Sequence, residues 1–111
     1  MISNQILQNT IEGLKAIARV DFGVTDTDGK EAASTTQGMA ACGPEAVEFA
    51  KSQADSQEIK GFQYFKIYDD QQPEYVLIAA GTGEDVYMVG KMAAFQIQGL
   101  LVAYKERFDK D

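Results

Sequence analysis

The sequence EDVYMVGKMAAFQIQGLLVAYKERF, residues 84–108, reads as one helix of about 25 residues, roughly 37 Å long at 1.5 Å per residue. On a helical wheel it carries two apolar stripes. One runs Val86, Val89, Ala93, Ile97, Leu100, Tyr104 and Phe108 in steps of three and four. The other, Met88, Met92, Phe95, Gly99 and Val102, lies on the opposite side. A surface helix has one apolar stripe, whereas a helix apolar on two sides is buried from two directions. Between Val86 and Tyr104 the strongly polar side chains are Lys91, Gln96 and Gln98. The first stripe is expected to meet a sheet and the second, with Gly99 permitting close approach, a second copy of the chain. The helix is expected to overshoot a seven-residue strand of about 23 Å, so that Leu100, Tyr104 and Phe108 project beyond the sheet. It is also expected to continue past Lys110-Asp111 in a longer parent, since no Gly or Pro stop signal follows.

The remainder of the chain supplies the sheet. Asn4 to Ala18 is amphipathic, with Ile6, Leu7, Ile11, Leu14, Ile17 and Ala18 on one face and Ser3 or Asn4 placed to cap it. Val20 to Asp26 alternates as a half-buried strand. Asp26-Thr27-Asp28-Gly29 then turns into a weaker strand over Lys30 to Thr36. Gly43-Pro44 opens a second helix whose apolar side is Val47, Ala50 and Ala54 with Ala46, and Ser52–Lys60 reads as a fading segment with a short helical turn. Phe62 to Asp69 and Glu74 to Ala80 are strong strands joined by the loop Asp69–Pro73; the second is a continuous apolar run, as in a strand covered on both faces. The expected fold is therefore a single α/β (α+β) domain over residues 1–111. Its antiparallel sheet of four to five strands is flanked by an N-terminal and a long C-terminal helix.

Composition narrows the function. The 111 residues suffice for one core. A net charge of −7 argues against contact with nucleic acid or an anionic membrane, and Lys91 with two Gln weighs against a membrane span. The chain has no His and one Cys, which excludes His-based acid–base catalysis, His-containing triads and the usual zinc sites. The Asp-x-Asp-Gly turn lacks the further acidic ligands of a calcium loop, and Cys42 reads as a small packed residue. The expectation is a non-enzymatic cytoplasmic domain without metal or cofactor. Gly81-Thr82-Gly83, between a buried strand and a helix start, exposes backbone N–H groups where a small ligand could bind. Tyr64 and Lys66 are further candidate ligand residues.

Two segments carry a family resemblance. Phe22-Gly23-Val24-Thr25-Asp26-Thr27-Asp28-Gly29 with Ala32-Ala33-Ser34, and Glu74 through Val86 with its Gly81-Thr82-Gly83 break, resemble the sugar-diacid recognition domain. That domain is the PAS-like N-terminal sensor of carbohydrate diacid regulators and purine-catabolism-regulator-like transcription factors. The resemblance implies a PAS-like or profilin-like fold, homodimerisation, and binding of a small organic acid or sugar-like metabolite between the sheet and the Gly38–Gly61 region. It also implies signalling through the last helix to a DNA-binding part outside these residues. The alternative is a protein-interaction scaffold of the roadblock type, which shares the helix–hairpin–helix–sheet–helix order and takes no small ligand.

Overall fold

The computed structural model describes residues 2–109, with side chains at all of these positions except 40 and 107–109. In chain order the elements are α1 (Asn4–Ala18), β1 (Phe22–Asp26), β2 (Glu31–Ser34), a 3-10 turn (Gln37–Cys42), α2 (Gly43–Lys51), β3 (Ser56–Ile59), β4 (Phe62–Asp69), β5 (Gln72–Ala80) and α3 (Glu84–Asp109). The sheet order is β2-β1-β5-β4-β3, antiparallel throughout. α1 and α3 cover one face, and α2 with the 3-10 turn covers the other. This is the α+β sheet with flanking terminal helices that the sequence implies, with five strands.

Local chemistry accounts for most boundaries. The Ser3 hydroxyl accepts the Ile6 N–H at 3.2 Å and caps α1, while left-handed Arg19 ends it by donating its N–H to the Lys15 carbonyl. Asp26 closes the β1–β2 hairpin, its carboxylate accepting the N–H groups of Asp28 and Lys30, both at 2.9 Å. β1 is buried on both faces rather than one. It lies between β2 and β5, and Met39 of the 3-10 turn covers Gly23.

Two connections differ from expectation for the same reason. Ser52–Lys60 is not a fading helix. Lys60 and Gly61 both have positive φ (50° and 88°) and form a two-residue turn that folds Ser56–Ile59 onto β4, with Ile59 opposite Phe62. Such turns match the right-handed twist of the strands they join. The loop Asp69–Pro73 likewise shrinks to Asp70 and Gln71, at φ 52° and 71°, so β5 begins at Gln72. Pro73 stands opposite Tyr68, beside the register shift between Ile67 and Tyr68 where ladder pairing is interrupted. In α2 the buried residues are Ala46 and Phe49; Val47 and Ala50 are half-buried and Ala54 lies exposed beyond the helix.

α3 is seated by a glycine. Gly90 lies against Phe65 of β4 so closely that a Cβ there would stand 2.3 Å from the ring. Ala93, Ile97 and Leu101 continue this buried line, with Val86, Val89, Leu100 and Tyr104 half-buried beside it; the Phe108 side chain lies outside the described residues. The helix overshoots less than expected. β4 and β5 have eight and nine residues, and Lys105 still reaches the β4–β5 turn, pairing with Asp70 and, at 3.4 Å, with Asp69.

Each helix of this layer also clamps strand backbone. The Gln8 side chain accepts the Ser34 N–H at 3.0 Å and donates to the Ser34 carbonyl at 2.7 Å. Gln98 of α3 accepts the Tyr68 N–H at 2.8 Å and donates to the Tyr68 carbonyl. Both glutamines thus satisfy backbone groups that no neighbouring strand takes up.

Gly90→Ala is expected to destabilise the domain by about 1–3 kcal/mol through overpacking, despite a helix-propensity gain of up to ~1 kcal/mol. Urea denaturation would show the loss, and a Phe65→Leu background would shrink it. The Asp21 carboxylate, 2.6 Å from the Lys15 ammonium and bonded by the Thr35 hydroxyl at 2.8 Å, is held below the usual range, chiefly by Lys15 and then by Thr35. A carboxyl depressed in the folded state contributes stability above its unfolded pKa and loses it as pH falls through the folded value. Asp21→Asn should therefore lower the urea midpoint slightly near neutrality and flatten the loss of stability below about pH 4.

Candidate functional site

With Gly90 turned to the sheet, residues about half a helical turn away face solvent. They are the second stripe. Phe95 is 81% exposed, Met92 67%, Met88 55% and Val102 49%. Gly99 is exposed as well, and a Cβ built there meets nothing within 4 Å. α1 packs beside α3 without covering this side. Lys91, the one charged residue between Val86 and Tyr104, folds back on Tyr87, its ammonium 3.2 Å from the hydroxyl and 5.6 Å from the ring centroid. An apolar run of this size on a charge-poor helix is unusual for a surface that meets water alone.

Beside the stripe a groove of about 310 Å³ opens between β3 and α3. Phe65, Ala94 and Phe95 give it apolar walls, and Asp55, Lys66 and Gln98 stand at its polar parts. The sequence offered no signal for this groove, because it depends on β3, whose four residues Ser56-Gln57-Glu58-Ile59 show no strand-like apolar alternation.

The candidate ligand residues are spread over several environments. Tyr64 is buried in the α2-side cluster, its ring 5.9 Å from that of Phe49. Burial, and then the Cys42 thiol beside it, push its hydroxyl far above the ordinary phenol range. Lys66 is buried on the same side, with its ammonium on the Ser52 carbonyl and 5.1 Å from the Phe49 ring centroid. The cation there faces the C-terminal, negative end of α2. Gly81 and Gly83 adopt positive φ (131° and 99°), and the Gln63 amide donates to the Gly83 carbonyl at 3.1 Å and the Gly81 carbonyl at 3.5 Å. Thr82 is exposed. Gly83 borders a separate groove of about 400 Å³ that also holds Glu58, Glu84 and Tyr87. Two carboxylates at its rim oppose an anionic ligand.

The space between the sheet and the Gly38–Gly61 region is filled by Met39, Cys42, Ala46, Phe49, Tyr64, Val76 and Ile78. Among the described residues every buried side-chain nitrogen and oxygen has a hydrogen-bond partner, and no cluster of three or more His, Cys, Asp or Glu is placed to hold a metal ion.

Family models and curated protein sequences return no match to this chain. Among solved structures, Myxococcus xanthus MglB is similar: TM-score 0.64 and 12% identity, covering 93% of this chain and 94% of that one. At that identity the likeness shows the fold. The chain shares its α+β architecture with MglB over nearly the full length of both.

Proposed function

We propose that this domain is a non-enzymatic protein-interaction scaffold of the roadblock/profilin-like type. One observation carries the reading: the outer face of α3, built around Met88, Met92 and Phe95, is apolar and uncovered. Large apolar side chains left in water mark surfaces that another protein covers. Two further observations support it. The layer between α2 and the sheet, where a metabolite was expected to sit, is occupied by the chain's own side chains. The likeness to MglB is one of fold, and it fits a scaffold of this order better than it bears on a sugar-diacid sensor.

The competing sensor reading makes a measurable demand. A metabolite at 100 times its dissociation constant adds about 2.7 kcal/mol to the native state, and each kcal/mol raises the midpoint of a domain this size by roughly 4–8 °C. Thermal melts against small organic acids, sugar diacids and neutral sugars are expected to leave the midpoint within about 2 °C of the free protein, well short of that response. A compound that raises it by about 10 °C or more would replace the scaffold with the sensor.

A further inference from the structure

Three hollows run in a row along one flank of α3. The groove at Phe65, Ala94 and Phe95 shares Ser56 with the groove at Gly83, Glu84 and Tyr87. At its other end it shares Gln98 with a hollow of about 240 Å³ beside Tyr68, Asp70, Val102 and Glu106. Together they follow the helix from Glu84 to Glu106, about 33 Å at 1.5 Å per residue. We infer that this trough takes a helix of another protein, apolar along one face and carrying Lys or Arg at both ends. The inference rests on the scaffold reading above and names the chemistry of its partner.

The layout of the helix layer leaves the space. α1 lies against β1 and β2, and α3 against β4 and β5. The fifth strand, β3, has no helix over it on this side among the described residues. Helices pack about 8–10 Å apart and strands about 4.8 Å apart. A further helix beside α3 would therefore lie about two strand spacings across, over the β3 edge. Ser56 stands opposite Phe65, which belongs to the α3 layer, and Glu58 shares its face of β3. These two side chains would form the outer wall.

The trough is apolar in the middle and acidic at its ends. Phe95 lines the middle groove and is also the most exposed residue of the stripe, so a helix seated here covers the ring that water otherwise surrounds. Glu58 and Glu84 stand at one end, Asp69, Asp70 and Glu106 at the other, and Asp55 on the rim between. The cations among the lining residues are already engaged. Lys91 lies on Tyr87, Lys105 on Asp69 and Asp70, and Lys66 on the Ser52 carbonyl. Opposite charge across an interface steers the encounter and excludes partners of the wrong sign. A second copy of this chain brings a net charge of −7 and the same acidic ends, and an anionic membrane or a nucleic acid is repelled likewise. An amphipathic helix laid in an apolar groove is a recurring mode of recognition, and the methionines beside Phe95 suit it because thioethers adapt to the side chains they meet.

The probe is a fluorescein-labelled peptide of about 18 residues, ~27 Å as a helix, with leucines at helical spacing on one face and lysines at both ends. Anisotropy at low salt is expected to show saturable micromolar binding that weakens as salt is raised. The same peptide with glutamates for lysines should not bind. A peptide of the first composition with its leucines out of helical phase should bind at least about tenfold more weakly. Phe95→Gln and Glu58→Lys should each weaken binding by about fivefold or more without moving the thermal midpoint, since both side chains are exposed. Asp28→Lys makes the same charge change on the β1–β2 turn, at the opposite edge of the sheet, and should leave binding within about twofold. No binding, equal binding of the out-of-phase peptide, or an equal loss in Asp28→Lys each overturns the docked helix. A concentration-dependent doubling of the free protein's mass from 12.1 kDa that Phe95→Gln abolishes overturns it in favour of a second copy. Binding to neutral vesicles that the same variant abolishes overturns it in favour of lipid. A failed peptide leaves the scaffold reading standing, since that reading falls to a stabilising metabolite in the melts.

Discussion

The contact between Gly90 and the Phe65 ring fixes how α3 lies on the sheet, and much else depends on it. A helix can rotate about its axis until side chains interlock, and here the absence of a Cβ lets one ring of β4 approach the helix backbone. That rotation turns Ala93, Ile97 and Leu101 into the core. It turns Met88, Met92 and Phe95 away from it. The exposed face is therefore a geometrical consequence of a core contact, since a helix apolar on two sides cannot bury both against one sheet. Its far end is held by Gln98 on the Tyr68 backbone and Lys105 on the β4–β5 turn.

Charge and packing divide the two faces of the sheet between different tasks. The α2 face is closed by packing around Met39, Cys42 and Ala46, and the one buried cation among the described residues, Lys66, is spent on the helix end at Ser52. The α1/α3 face is closed toward the sheet and open outward. Acidic residues cluster at the start of α3 and at the β4–β5 turn, leaving the middle of the helix free of negative charge.

The elements with strong periodicity were legible in the sequence. α1 has the bounds its pattern implies, and α3 begins at the expected Glu84. Both α3 stripes separate in the structure into a packed side and an exposed side, although the line of deepest burial runs through Gly90 and Leu101, which a wheel built on bulky residues passes over. β3 was hidden because an edge strand of Ser, Gln, Glu and Ile takes its conformation from pairing with β4 and from the Lys60-Gly61 turn. Propensity is weak where tertiary pairing decides. Asp70-Gln71 was hidden for a related reason, since neither residue carries the Gly signature of a turn with positive φ. Of the candidate ligand residues, Tyr64 and Lys66 alternate correctly onto one face, but sequence spacing does not tell a pocket wall from a filled core.

The two glutamine clamps have a consequence for how this chain would misassemble. Strand backbone with unpaired N–H and carbonyl groups is a template for intermolecular pairing, and Gln8 and Gln98 occupy such groups at Ser34 and Tyr68. Both clamps are carried on helices rather than on strands. Peeling α1 or α3 away by local opening would uncover sticky backbone at the moment apolar side chains are also uncovered. Helix docking thus shields this backbone, and a substitution that loosens α3 without unfolding the sheet is expected to show first as turbidity.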